Sequence, residues 1–304
     1  MKQYRSSITA ACILTVMLLC WFAADRMSVE NKYNKEGARS EIINFELTDI
    51  KEIVFENYDE SFTLVNNGGS FYIKERNVEA DAQAVNLTLD SILKIDGKLL
   101  SENCRDVAQY GLDNPKAVVS FRTQEKDVTL TLGNLTPAET EYYLMSGGDV
   151  YSIYTSAGIG LASKRWQFMD LTLFTSDYDD VEEVSVNGLS AKKDAAGNWR
   201  IKSKKEGAFE VSDENFRAKV GLYFENMYAK RLVTNNEENR AEYGLDSPEG
   251  IMTITNKNGE KSEFKVSRDK EKQEAAVIKN DGEDIFITID SYFDMLDIEK
   301  EDLV

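Results

Sequence analysis

The chemistry open to this chain is limited first by an absence: it contains no histidine. That removes Ser-His-Asp and Cys-His nucleophilic catalysis, histidine-ligated zinc and histidine pH switching. Of the three cysteines, Cys12 and Cys20 fall in an apolar N-terminal run, which leaves Cys104 alone beyond it. One cysteine forms no intramolecular disulfide. Its neighbours Glu102, Asn103, Arg105 and Asp106 give a thiolate no clear stabilisation. Carboxylate, lysine and tyrosine chemistry remains. A carboxylate hydrolase needs two acids facing each other across a cleft, which spacing along the chain does not display. Asp281-Gly282-Glu283-Asp284 offers oxygen ligands and a glycine but lacks the spaced pattern of a calcium loop. It reads as a solvated hairpin turn. Asp177-Tyr178-Asp179-Asp180 reads as a linker between modules, and Asp294, Asp297, Glu299, Glu301 and Asp302 as a solvated helix end or tail. No catalytic residue, metal ligand or cofactor is expected. Lys164, Arg165 and Trp166, with Phe168 close by, are the interface candidates, because Arg and Trp are enriched at interaction hot spots. The same four residues could instead seal two modules together.

The elements that must position these residues are written twice. Ala108-Gln109-Tyr110-Gly111-Leu112-Asp113-Asn114-Pro115 returns as Ala241-Glu242-Tyr243-Gly244-Leu245-Asp246-Ser247-Pro248, an offset of 133 residues. Repetition at a fixed offset means that the soluble region consists of tandem copies of one module. The motif has the demands of a turn entering a strand. Gly111 and Gly244 permit positive φ. Asp113 and Asp246 can bond backbone amides two residues on. Pro115 and Pro248 stop a helix and hold the preceding residue extended. Leu112 and Leu245 would plug a core beside Tyr110 and Tyr243. A ligand-binding Tyr/Asp pair is the functional alternative, but every residue already has a local backbone role.

Around each motif the same order of elements can be read. Strand-like Asp49–Phe55 and Ser61–Val65 lead through Asn66-Asn67-Gly68-Gly69 to Ser70–Ile73, a hairpin signal. In the second copy Val181, Val184 and Val186 lead to the turn Ala195–Asn198 and then Trp199–Ile201. A helix follows, capped by Asp81 in the first copy and by Ser212 or Asp213 in the second. Apolar pairs Leu99-Leu100 and Leu232-Val233 precede the motif, and a four-stranded meander follows it. The expected fold is α+β: an N-terminal transmembrane helix, then two tandem repeat modules, each a β-hairpin, a helix and a mostly antiparallel β-meander. The boundaries read as residues 1–25 for tail and anchor, 26–43 for a stalk, 44–176 for the first module and 177–304 for the second.

From Ser6 to Ala24 there are nineteen residues without a charge. As a helix this run would be about 28 Å long, close to the ~30 Å hydrocarbon thickness of a bilayer. Lys2 and Arg5 precede it, as in an export signal, and Trp21 and Phe22 suit the interface at its outer end. Signal peptidase wants small residues at −3 and −1, and Phe22 or Trp21 would occupy −3. A lipoprotein cysteine needs a small residue before it, and Cys20 follows Leu19. An uncleaved single-pass anchor through residues 6–24, with the large domain outside, is the expectation. A net charge of −18 argues against nucleic acid and against docking on anionic lipid. With 30% charged and 10% aromatic residues the chain reads as folded.

The Tyr-Gly-Leu-Asp-x-Pro turn, followed by paired strands and then Leu132-Gly133-Asn134-Leu135-Thr136-Pro137, resembles the bacterial family called domain of unknown function 4340. The second copy departs from it, because Val266-Ser267-Arg268-Asp269 lacks the glycine and threonine. The resemblance implies a membrane-anchored protein encoded beside ABC-transporter subunits of the gliding-motility type, and it assigns no catalytic residue. The function expected is that of a non-enzymatic extracytoplasmic accessory or scaffold protein at the bacterial cell membrane. Its partners would be ABC-transporter permease and ATPase subunits. The alternative is a cell-envelope module binding glycan or peptide, with Tyr142, Tyr143, Tyr151 and Tyr154 available for stacking; strand preference explains those tyrosines equally well.

Overall fold

The computed structural model describes residues 38–187, 189–203, 207–211, 213–221 and 224–297. The expected anchor at residues 6–24 lies outside them, as do Ser212, Glu299, Glu301 and Asp302. Among the described residues no helix is long and apolar enough to cross a membrane. Two compact units meet in the sequence between Phe168 and Met169.

Unit 1 runs β1 (Arg39–Asn44), β2 (Ile50–Asn57), β3 (Ser61–Asn67), β4 (Ser70–Ile73), β5 (Val78–Glu79), α1 (Ala82–Ile92), β6 (Lys94–Ser101), β7 (Ala117–Thr123), β8 (Asp127–Leu135), β9 (Glu141–Ser146), β10 (Asp149–Tyr154) and α2 (Thr155–Leu161). The ten strands make one antiparallel sheet in the order β1-β6-β10-β9-β8-β7-β2-β3-β4-β5. Strict alternation sets its inner face: in β7, Ala117, Val119, Phe121 and Thr123 are buried while the residues between them are not. Asp81 caps α1 by accepting the Ala84 amide at 2.7 Å, and the helix buries Val85, Leu89 and Ile92. Phe55 stacks on Phe62 with centroids 4.8 Å apart, and Phe168 tilts onto each at 5.7 Å. Each such ring taken out of water contributes about 1.5–3 kcal/mol.

Unit 2 runs β11 (Thr172–Phe174), β12 (Val181–Val186), β13 (Leu189–Lys193), β14 (Trp199–Ser203), β15 (Gly207–Glu210), α3 (Asp213–Lys219), β16 (Met227–Tyr228), β17 (Arg231–Thr234), α4 (Glu237–Glu242), β18 (Gly250–Asn256), β19 (Lys261–Asp269), β20 (Glu274–Lys279) and β21 (Asp284–Ile289). Nine strands form a sheet in the order β15-β14-β13-β12-β18-β19-β20-β21-β17, and β11 pairs with β16 separately. Strand for strand this is the order of unit 1. The β11–β16 pair is the counterpart of β1 on the opening stretch of β6. It is cut off from the larger sheet at Ala229 and Lys230, whose amides bond Leu171 and Ile287 carbonyls at 2.8 and 2.7 Å. The core gathers Trp199, Phe216, Phe224, Phe264 and Phe293, all 1% exposed or less. Tyr178, expected in a linker, is buried at 3% exposure and belongs to this core.

The α+β expectation needs correction. Of the described residues 47% are in strands and 21% in helices, so the protein is mostly β, with three antiparallel sheets. The difference lies in segments too short or polar to show a strand period. Leu99-Leu100 and Leu232-Val233 are not links after helices: they lie in β6 and β17 and pair with β10 and β21. Arg39–Ile43, the end of the segment read as stalk, belongs to β1 and pairs along β6. Neighbouring strands offering unpaired amides and carbonyls recruit such segments whatever their own propensity. The helices are correspondingly small, eleven residues in α1 and seven in α3.

Candidate functional site

The repeated motif closes a helical turn onto the start of a strand. In unit 1 a 3-10 turn, Ala108–Tyr110, ends at Gly111 with φ +68°, and in unit 2 α4 ends through Tyr243 at Gly244 with φ +69°. Leu112 and Leu245 are 5% and 4% exposed, and Leu245 packs on Ala276, Ile278, Ile285 and Ile287. Tyr110 meets Tyr143 edge-on at 4.9 Å, whereas Tyr243 accepts a hydrogen bond from Arg231 at 3.2 Å. Among the described residues neither Asp113 nor Asp246 accepts a backbone amide; Asp246 lies 3.5 Å from the Arg240 guanidinium. Pro115 and Pro248 are half-buried just before β7 and β18.

Both motifs face β8 or its counterpart, and this contact explains why the later segments differ. At Gly133 an added Cβ would stand 2.3 Å from the Tyr110 carbonyl oxygen. Gly133→Ala should therefore destabilise the protein by about 1–3 kcal/mol, read as a lower urea midpoint at unchanged slope. In unit 2 the counterpart is Ser267, followed by Arg268. The Arg268 side chain is 1% exposed and bonds both Glu249 and Asp297, the latter at 2.8 Å. It also donates to the Phe293 carbonyl at 3.2 Å. Arg268 first, then Lys270, holds the Asp297 carboxyl down to about 2, and Arg268 lowers Glu249 in the same way. Both carboxyls are depressed on folding, so their contribution is complete above their unfolded values and is lost as pH falls from about 4 towards 2. Arg268→Gln should flatten this acid limb, measured as urea midpoints at several pH values.

The interface candidates differ in exposure. Phe168 is fully buried beneath Phe55 and Phe62. Lys164 is exposed and pairs with Asp59 at 2.6 Å, the Arg165 amide bonds Glu60 at 2.9 Å, and Trp166 is half-buried. Asp281 pairs with Lys265 in a turn between β20 and β21. Cys104 is a half-buried free thiol whose Sγ lies 3.4 Å from the Asp106 carbonyl. Among the described residues no group of three or more carboxylates and thiols is placed to hold a metal ion.

Among the described residues a cavity lies in unit 2. It has a volume of about 290 Å³, with Phe174 and Ile254 as its apolar wall and Asp170, Thr172, Ser176, Ser262 and Lys279 among its polar lining. Its carboxylates are pre-oriented: Asp170 accepts the Thr172 amide at 2.8 Å, and Glu260 accepts from the Asn256 side chain at 2.7 Å. Asn256 is itself fixed, taking the Asn258 and Glu260 amides on its Oδ1. Lys279 closes β20 opposite Phe264, and its amine has no hydrogen bond or salt bridge among the described residues. Burial lowers its pKa, and Asp170 opposes that shift. No residue of this cleft was singled out by its sequence. A strand-terminal lysine opposite a core phenylalanine was the available signal.

A tandem, mostly antiparallel β protein with a polar cleft in its second unit is therefore what fold and site define. The chain belongs to the family described as Domain of unknown function (DUF4340), which matches residues 71–220 and 222–304. No curated protein matches it.

Proposed function

We propose that this chain is a non-enzymatic accessory or scaffold protein of a membrane complex, anchored in the bacterial cell membrane with both β units on the extracytoplasmic side. By the family resemblance, the complex is an ABC transporter with its permease and ATPase subunits. The uncharged run Ser6–Ala24 behind Lys2 and Arg5 carries the reading. The first described strand, β1, is an edge strand of its sheet. Edge strands offer unpaired backbone groups that a partner strand can use. The test is gentle detergent extraction of the tagged native protein and mass spectrometry of what co-purifies. Stoichiometric recovery of permease and ATPase subunits supports the reading. Repeated recovery of the protein alone overturns a stable complex. The alternative, an envelope module that binds a glycan or peptide, is favoured by a separate observation, the cleft of unit 2.

A further inference from the structure

The cleft of unit 2 is a place that unit 1 fills with its own side chains. The correspondence rests on matching hydrogen bonds and strand registers. The Phe45 amide bonds the Leu93 carbonyl at 2.8 Å, and the Ser176 amide bonds the Phe224 carbonyl at 2.8 Å. Ile53 faces Phe121 across β2 and β7, as Val184 faces Ile254 across β12 and β18. The Thr123 amide bonds the Lys126 carbonyl, as the Asn256 amide bonds that of Glu260. Leu130 faces Ser146, as Phe264 faces Lys279. Ser176, Ile254, Glu260 and Lys279 thus stand where unit 1 has Phe45, Phe121, Lys126 and Ser146.

Those four differences change a plug into a pocket. In unit 1, Phe45 is 5% exposed, lies 5.8 Å from the Phe121 ring, and is covered by the Lys126 ammonium at 5.5 Å. In unit 2 the first ring is replaced by a hydroxymethyl and the second by an aliphatic chain. The covering charge is reversed, and a lysine enters from the neighbouring strand. The resulting volume, about 290 Å³, is at the small end of the range for ligand pockets. The lining offers one ammonium, Lys279, and two carboxylates, Asp170 and Glu260. The hydroxyls of Thr172 and Ser262 have no partner among the described residues, whereas Thr175 is already committed to the Glu225 carbonyl at 2.7 Å.

We infer that this cleft binds a small α-amino-acid zwitterion, its carboxylate on Lys279 and its ammonium towards Asp170 and Glu260. A simple monoanion would satisfy the lysine but meet two carboxylates, and a simple amine would do the reverse. A zwitterion answers both, and the free hydroxyls add neutral donors and acceptors without altering the charge balance. Lys279 fits the role because its amine is partly desolvated, which strengthens a charge-assisted hydrogen bond to an incoming carboxylate. Phe174 and Ile254 would take an apolar side chain. The inference deepens the ligand-binding alternative and does not depend on the transporter reading.

The experiment uses the full chain in detergent micelles. Free L-amino acids, acetate and propionate, methylamine and ethylamine, and glucose are titrated by calorimetry, with unfolding midpoints as a second readout. At least one amino acid is expected to bind and raise the midpoint, and the amine-free acids and acid-free amines to bind weaker. Lys279→Met should weaken amino-acid binding at least about tenfold. Ser176→Phe, which restores the plug of unit 1, should abolish binding while the ligand-free protein unfolds no earlier than wild type. That midpoint separates loss of the site from loss of the fold. Amino-acid binding unmoved by both substitutions overturns the site. Equal binding of acetate or propionate overturns the zwitterion. Glucose binding alone overturns the ligand class yet leaves the envelope-module reading standing, and no binding by any probe overturns this inference.

Discussion

Replacing Phe45 by serine is expected to destabilise the protein by about 3–5 kcal/mol, the usual cost of removing a buried phenylalanine side chain. Phe45 is 5% exposed and has Phe121 beside it and the Lys126 ammonium over its face. Truncation leaves the Phe121 ring without its neighbour and removes the cation–π contact, and a close-packed sheet with α1 behind it can collapse only partly into the gap. Net stabilities of about 5–15 kcal/mol make this loss plain in a urea or thermal unfolding curve. Serine is tolerated at the matching place in unit 2, where Ser176 lines an open cleft. The asymmetry is the informative point. If Phe45→Ser shifts the midpoint no more than an exposed substitution does, Phe45 is not a plug, and the account of how the cleft arose fails with it.

The second large effect is expected at Trp199. Its side chain is fully buried, stacks on Phe216 at 4.1 Å, and donates from its ring nitrogen to the Tyr178 hydroxyl at 2.7 Å. Tyr178 in turn donates to Asp213 at 2.9 Å, at the first residue of α3. Burial, with Asp213 second, pushes the Tyr178 phenol well above its usual range, so it stays a neutral donor. Trp199→Ala should cost about 3–5 kcal/mol. Trp199→Phe separates the contributions. It keeps an aromatic ring against Phe216 but leaves the Tyr178 oxygen without its donor, for about 1–3 kcal/mol. Denaturant midpoints of the two variants decide the matter: equal losses would show that packing has little to do with Trp199, and a negligible loss in Trp199→Phe would show that the hydrogen bond has little to do with it.

How much could be read from the chain follows from the range of each signal. The duplication was legible because Tyr-Gly-Leu-Asp-x-Pro is a local device: Gly111 and Gly244 need positive φ wherever the rest of the sheet lies. The hairpin turns at Asn66–Gly69 and near Gly197 were legible for the same reason. The helix at Asp81 was legible through its cap and its buried Val85, Leu89 and Ile92, although Leu87 on the same helix is 68% exposed. β1 and β11 were not legible. Arg39–Asn44 has no alternating pattern and Thr172–Phe174 spans three residues, so both are strands only because a partner lies alongside. The cleft was hidden for a deeper reason. Its lining comes from the chain around Asp170–Ser176, from Ile254–Ser262 and from Lys279, and nothing short-range joins them. Ser176 carries meaning only beside Phe45, and the two can be set against each other only once the backbone bonds to Leu93 and Phe224 fix the alignment.

The shared strand order bears on how the chain reaches its native state. In each unit the hairpin strands must join a sheet whose next member lies far along the chain: β2 with β7 across Ile53 and Phe121, and β12 with β18 across Val184 and Ile254. Sheets built on such distant pairings fold slowly, in milliseconds to seconds. During that interval β2 has two docking strands of the same register in reach, β7 and its duplicate β18. Wrong pairing between duplicated sheets is the expected kinetic trap for tandem proteins of this kind. It would appear as a slow refolding phase that vanishes when either unit is expressed without the other, and the divergence of Phe121 from Ile254 is the kind of mismatch that makes the wrong partner the weaker one.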